Sequence, residues 1–206
     1  MTLDGAWAKR WIEQSASVIA TEKVALTALD RAIGDGDHGE NLNRGYQAIV
    51  AKLDTLDDSA SPGAVLKLLA TTLISTVGGA SGPLLGTAFL KGAMAAGDAS
   101  ELDAPTLVAV LTAARDGVVA RGKAESGDKT MIDAWTPAVD AAAAAGEDVT
   151  VVLRAAAAAA ATGAASTEPL VARKGRASYL GERAIGHRDP GAQSSSLILQ
   201  AAVDAL

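Results

Sequence analysis

Apolar positions recur along this chain at helical spacing, and alternating runs of the kind a half-buried strand needs are absent. Trp7, Trp11, Ile12, Val18 and Ile19 keep one face apolar, as do Val65, Leu66, Leu69, Leu73 and Val77. Leu107, Val110, Leu111, Ala114 and Val118 form a third such stripe. Start signals punctuate the pattern. Ser61 precedes Pro62, a capping hydroxyl followed by a first-turn proline. Pro105 and Pro137 suit early helix positions, and Thr130 with Asp133 resembles a capping box. The pattern predicts helices near 4–20, 22–33, 40–53, 62–77, 83–96, 105–121, 131–145, 149–166, 175–184 and 192–205. Short connections make successive helices antiparallel neighbours.

Composition strengthens the all-α reading. Alanine, the best helix former, supplies 47 of the 206 residues. The runs Ala141–Ala145 and Ala155–Ala161 read as helix surface with close backbone approach rather than disorder. At about 100–200 residues per domain, the expectation is one domain over 1–206. Acidic residues outnumber basic ones 24 to 18, a formal charge of −6, which argues against nucleic acid or an anionic membrane as partner. The absence of cysteine excludes disulfides, thiolate metal sites and a Cys nucleophile, and fits a reducing cytosol. Charged residues in the first helical stretch do not suit a signal peptide, and no transmembrane helix is expected.

The glycines fall in clusters at 34–39, 78–86, 122–127, 175–181 and 186–191, each at a predicted helix junction. An antiparallel bundle brings alternate junctions to the same end. These loops carry Asp, Ser, Thr, Lys and Arg, so they read as parts of one site.

The densest cluster is Asp30-Arg31-Ala32-Ile33-Gly34-Asp35-Gly36-Asp37-His38-Gly39. Carboxylates crowded in this way repel unless a cation compensates, and an all-oxygen set with water and phosphate suits Mg²⁺. An acidic Asx-turn is the plainer alternative. The formal match to G-x-G-x-x-G lacks a preceding strand. An EF-hand register places Tyr46 or Asn41 where the bidentate Glu belongs, and lone His38 makes a poor zinc site. His38 reads either as a charge-assisted donor to phosphate or as a structural loop histidine.

Gly78-Gly79-Ala80-Ser81-Gly82-Pro83 opens a helix, where free backbone N–H groups and a hydroxyl make an anion site; tight glycine packing is the alternative. In Gly127-Asp128-Lys129-Thr130-Met131, Thr130 reads as a cap and Met131 as core or as a wall for a base. Arg173, Lys174, Arg176 and Arg183 form a basic cluster that suits phosphate or a solvated turn. His187, in the Gly186–Gly191 stretch, reads as structural or surface. No nucleophile or general base stands apart from these groups. From the residues alone, the inventory is that of a Mg²⁺-dependent nucleotide-phosphate binder acting by positioning and electrostatics.

These motifs, together with Arg173-Lys174-Gly175-Arg176-Ala177-Ser178-Tyr179-Leu180-Gly181-Glu182-Arg183, resemble in order the DhaL family, the nucleotide-binding subunit of dihydroxyacetone kinase. The resemblance implies an eight-helix antiparallel barrel with the nucleotide site in loops at one end. It implies two Mg²⁺ ions on Asp30, Asp35 and Asp37, and ADP or ATP lined by His38, Asn41, Ala80, Ser81, Gly122, Met131, Arg176 and Asp189. It implies a cytoplasmic kinase subunit that passes phosphate to dihydroxyacetone held on a DhaK subunit. In the phosphotransferase-system form, a DhaM phosphohistidine subunit recharges the resident ADP. An ATP-exchanging two-subunit ketose kinase and an ADP-sensing module without turnover remain open alternatives.

Overall fold

A computed structural model describes residues 2–206. Eight α-helices carry it: α1 (Gly5–Ile33), α2 (His38–Val50), α3 (Pro62–Thr76), α4 (Ser81–Ala96), α5 (Ala104–Gly122), α6 (Ile132–Ala144), α7 (Val149–Ser166) and α8 (Pro190–Asp204). Each packs on its neighbours in sequence, and α8 packs back on α1, closing a ring. Two residue pairs form the only strands among the described residues. Leu3–Asp4 pairs antiparallel with Glu101–Leu102, tying the start of α1 to the α4–α5 connection.

Local chemistry sets most helix starts. Asp4, Ser61, Asp103, Asp148 and Asp189 each accept a hydrogen bond from a first-turn amide of α1, α3, α5, α7 and α8. Before α6, Thr130 Oγ1 accepts from Ile132 N at 3.2 Å and Asp133 Oδ2 accepts from Thr130 N at 2.8 Å, the expected reciprocal cap.

Three expectations change. The predicted break between 20 and 22 is absent, and α1 runs on through Thr21. No Gly or Pro interrupts that stretch, and Thr21 Oγ1 donates back to Ser17 O at 3.0 Å without ending the helix. The predicted helix 175–184 is instead a 3₁₀ segment, Arg176–Ala184, broken at Gly181. Pro137 lies inside α6 rather than at its start. Having no N–H, it leaves the Asp133 carbonyl without a helical donor, and Gly163 of α7 packs against that carbonyl.

A continuous apolar core runs through all eight helices. The Trp7 and Trp11 rings lie 5.2 Å apart, and Phe89 meets Trp11 edge-on at 5.8 Å. Their indoles hold α1 to α8: Trp7 Nε1 donates to Ala202 O at 3.1 Å and Trp11 Nε1 to Ile198 O at 2.7 Å. Helix α7 is long and apolar enough, by length and composition alone, to cross a membrane. Its apolarity comes largely from alanine, and Val152, Leu153, Ala156, Ala157 and Ala160 are buried against the rest of the fold. That pattern is the packing face of a core helix.

Candidate functional site

The ring topology sorts the connections. Those after α1, α3, α5 and α7 gather around one cleft of about 520 Å³, within the range of small-molecule sites. All five glycine clusters contribute to these four connections, because the last two share the long α7–α8 strap, Thr167–Asp189.

In the α1–α2 connection, Asp30 is buried in the last turn of α1. Its Oδ2 accepts from Asp37 N at 2.8 Å and His38 N at 3.1 Å, folding the loop back on the helix. Gly36 supplies the reversal at φ 75°, a conformation that a side chain would strain. One oxygen each from Asp30, Asp35 and Asp37 lies within 4.8 Å of the others. The set is all oxygen and triply acidic, which fits a hard divalent cation. Arg176 of the strap reaches across to Asp35 Oδ2 at 2.9 Å.

His38 is buried, and its Nε2 lies 2.9 Å from Ser194 Oγ on α8. Burial lowers its pKa below the ordinary value, opposed by Asp30, Asp37 and Asp35. Its ring is thus shifted toward the neutral form, and Ser194 occupies its Nε2.

Across the cleft stands the start of α4. Five other helices begin with a side-chain cap, whereas Ala80 provides none, and Ser81 Oγ makes only a 3.5 Å contact with Gly78 O. The first amides of α4 are therefore left for another acceptor. Gly79, at φ 67° with open space around it, lets the chain turn into the helix.

The α5–α6 and α7–α8 connections complete the wall. Gly122, Met131, Arg176 and Asp189 all line the cleft, beside Leu84, Val118 and Ile132. Asp189 caps α8, accepting from Ala192 N at 2.7 Å. The residue keeps some exposure, but its carboxyl is packed inside, and burial pushes its pKa up to about 7.

Ten of the eleven expected site residues thus border one cleft. Asn41 does not: it is buried behind the Gly78 backbone, and its Oδ1 accepts from Arg44 at 2.6 Å. Of the basic cluster, Lys174 and Arg176 face the cleft, while Arg173 and Arg183 lie off its wall. His187 is exposed.

Two cations on the wall carried no assigned role in the sequence. Arg121 ends α5 beside Gly122, and its place next to a glycine cluster is the signal that could have found it. Lys129 is 1% exposed and adopts φ 63°. A left-handed backbone disfavours a non-glycine residue by about 1–2 kcal/mol, so the surroundings must compensate.

Comparison with known proteins follows the same lines. The DAK2 domain model matches residues 32–204. The chain is 46% identical to the "PEP-dependent dihydroxyacetone kinase, ADP-binding subunit DhaL" of Escherichia coli (strain K12), covering 97% of this chain and 96% of that protein. It is 38% identical to the "PTS-dependent dihydroxyacetone kinase, ADP-binding subunit DhaL" of Lactococcus lactis subsp. lactis, over 92% of each chain. Among solved structures, the dihydroxyacetone kinase of C. freundii in complex with AMP-PNP and Mg²⁺ superposes with a TM-score of 0.72 at 26% identity. That match covers 100% of this chain and 35% of that one, so the present chain spans about a third of the longer kinase. With a family model covering most of its length and full-length relatives of this identity, the chain belongs to the DAK2 domain family and matches its DhaL subunits nearly end to end.

Proposed function

We infer that this chain is the nucleotide-binding subunit of a dihydroxyacetone kinase, a phosphotransferase subunit that presents ADP or ATP for phosphoryl transfer. The observation that carries this reading is the convergence of Asp30, Asp35 and Asp37 within 4.8 Å, in the cleft that also holds the uncapped start of α4. Three carboxylates would repel three phosphate groups unless cations stood between them. Mg²⁺, as two ions, would be held by these aspartates and would neutralise charge on the phosphates.

The chain's own residues do the rest. The Ala80 and Ser81 amides donate to phosphate oxygens, Arg176 adds a cation, and Gly122 and Met131 with Leu84 and Val118 offer an apolar wall to the base. His38 and Asp189 close the inner side, and Asn41 acts from behind by supporting the Gly78 loop. The acceptor, dihydroxyacetone, sits on a DhaK partner that meets the open end of the cleft.

Relatives that match over nearly their whole length are named ADP-binding subunits of PEP- or PTS-dependent kinases. Those names favour a resident ADP; in this reading a DhaM phosphohistidine subunit recharges it in the cytoplasm. The exchanging reading draws on "L-erythrulose 1-kinase" of Mycolicibacterium smegmatis, 33% identical and covered over only 34% of its length.

The test is to purify the chain, denature it and assay released nucleotide, then to add DhaK, dihydroxyacetone and either ATP or phosphorylated DhaM. Retained ADP and turnover only with DhaM support the resident-coenzyme route. Fast ATP exchange with sustained turnover moves the assignment to an ATP-dependent kinase. Retained ADP without turnover on any ketose indicates the sensing module. Failure to bind Mg²⁺·ADP at all overturns the enzyme reading.

A further inference from the structure

Lys129 is a fully buried lysine in a strained backbone conformation, and the proposed chemistry leaves it unused. None of the ion pairs among the described residues includes it. Its Nζ instead donates to three main-chain carbonyls: Thr167 O at 2.7 Å, Glu168 O at 3.3 Å and His187 O at 2.5 Å. All three ammonium hydrogens are thereby used. Thr167 and Glu168 lie just beyond the C-terminus of α7, the negative end of its dipole. His187 comes from the far end of the same strap, so the ammonium pins both ends of it to the α5–α6 loop.

An ammonium held by neutral carbonyl oxygens is compensated differently from one in an ion pair. Carbonyl dipoles converging on a compact charge are the ligand set that replaces water around a monovalent cation. Burial still lowers the Lys129 pKa, opposed by Asp189, Glu168 and Asp133. Other fastenings sit close by. Arg173 N donates to Asp128 O at 3.0 Å, Gly186 N to Glu168 O at 2.8 Å and Asp189 N to Thr167 Oγ1 at 2.9 Å. The strap so secured carries Lys174, Arg176 and Asp189 to the cleft.

We propose that Lys129 is a positioning residue whose ammonium acts as a tethered monovalent cation, filling a carbonyl cage that holds the Thr167–Asp189 strap over the cleft. Without that charge the His187 carbonyl loses its donor, the Thr167 and Glu168 carbonyls keep only Leu170 N and Gly186 N, and the strap detaches while the helical ring persists. A free cation of similar size and hydrogen-bonding ability, ammonium or potassium, would fill the cage once the side chain is removed.

The test uses the full chain, free of nucleotide, carrying Lys129→Ala or Lys129→Met. Amide hydrogen exchange at Arg173 and Gly186 is followed in tetramethylammonium chloride, then in ammonium or potassium chloride at equal ionic strength. In tetramethylammonium chloride, both variants are expected to lose protection at these amides while core amides of α1 and α8 stay protected. Ammonium should restore protection in Lys129→Ala but not in Lys129→Met, whose side chain still fills the space. Protection retained without ammonium, or lost and not restored by either cation, overturns the proposal. If Lys129→Ala does not fold, its refolding is compared in the two salts: recovery only with ammonium or potassium supports the cage, and no recovery rejects it.

Mg²⁺·ADP affinity, measured alongside, should fall by about tenfold or more in both variants and recover with ammonium only in Lys129→Ala. If the parent itself binds no Mg²⁺·ADP, the nucleotide reading fails, yet the exchange measurement still decides the role of Lys129.

Discussion

Replacing Asp37 by Asn should stabilise the metal-free protein while abolishing its response to Mg²⁺ and ADP. Oxygens of Asp30, Asp35 and Asp37 lie within 4.8 Å of one another. Two unit charges at that distance repel by about 3.5 kcal/mol at an effective dielectric of about 20, and by about 1 kcal/mol in water. Asp35 and Asp37 are exposed, so the lower figure applies. Asp37 takes part in two such pairs, so Asp37→Asn relieves about 2 kcal/mol, a rise in Tm of about 4–8 °C for a chain of this size. Asp37 is the better choice because Asp35 also accepts from Arg176, an attraction that its removal would forfeit. Little else changes: the Asp37 side chain caps nothing, and its backbone N–H still reaches Asp30. The assay is thermal unfolding by circular dichroism in EDTA, then with Mg²⁺, ADP and both. The parent should melt lowest in EDTA and rise steeply with Mg²⁺·ADP; the variant should start higher and rise little. Added salt should shrink the difference in EDTA, as screening predicts. An unchanged or lower Tm in EDTA, or a full Mg²⁺·ADP response in the variant, would show that these carboxylates do not share a cation.

Arg176→Ala should scarcely alter stability, because the Arg176–Asp35 pair is well exposed and worth at most about 1 kcal/mol, while Mg²⁺·ADP affinity measured by calorimetry should drop by about tenfold. Asp189 has a folded pKa of about 7 against 3.8 for the free side chain, so the folded state binds more protons between these values. Stability of the nucleotide-free protein should therefore fall as pH rises from about 4 to about 7 and then level off, and Asp189→Asn should flatten that slope in urea titrations. Gly163→Ala places a methyl against the Asp133 carbonyl and Pro137, and α6 and α7 must part. Its denaturation midpoint should drop by an amount worth about 1–3 kcal/mol, and an unchanged midpoint would mean that the two helices do not touch there.

The site was legible in the sequence wherever its parts are neighbours along the chain. Asp30, Asp35 and Asp37 lie on one helix end and the loop after it, so their shared chemistry needed no tertiary information. The same holds for the glycine-led start of α4 and for the Thr130–Asp133 cap. It fails where partners come from distant segments. The pairing of Arg176 with Asp35 and of His38 with Ser194 depends on how α7–α8 and α1–α2 meet. Asn41 follows His38 by three residues on α2 but packs against Gly78 and Arg44 rather than on the cleft wall, an orientation that helical periodicity does not resolve.

Helix content, most caps, the glycine junctions and the acidic loop were determined by the sequence itself, because each follows from contacts within a few residues. The count of helices, and with it which junctions share an end, was decided by tertiary structure. One continuous α1 and a 3₁₀ strap in place of a helix at 175–184 leave eight helices, and only then do the last two glycine clusters fall in a single connection. A tenth helix would have sent one of them to the opposite end of the bundle. Lys129 belongs to the same category. In sequence it is one charge in a polar loop, and its burial exists only because carbonyls from both ends of the strap converge on it. An ammonium leaves water only where enough oppositely oriented dipoles are already assembled, and that assembly is a property of the folded chain.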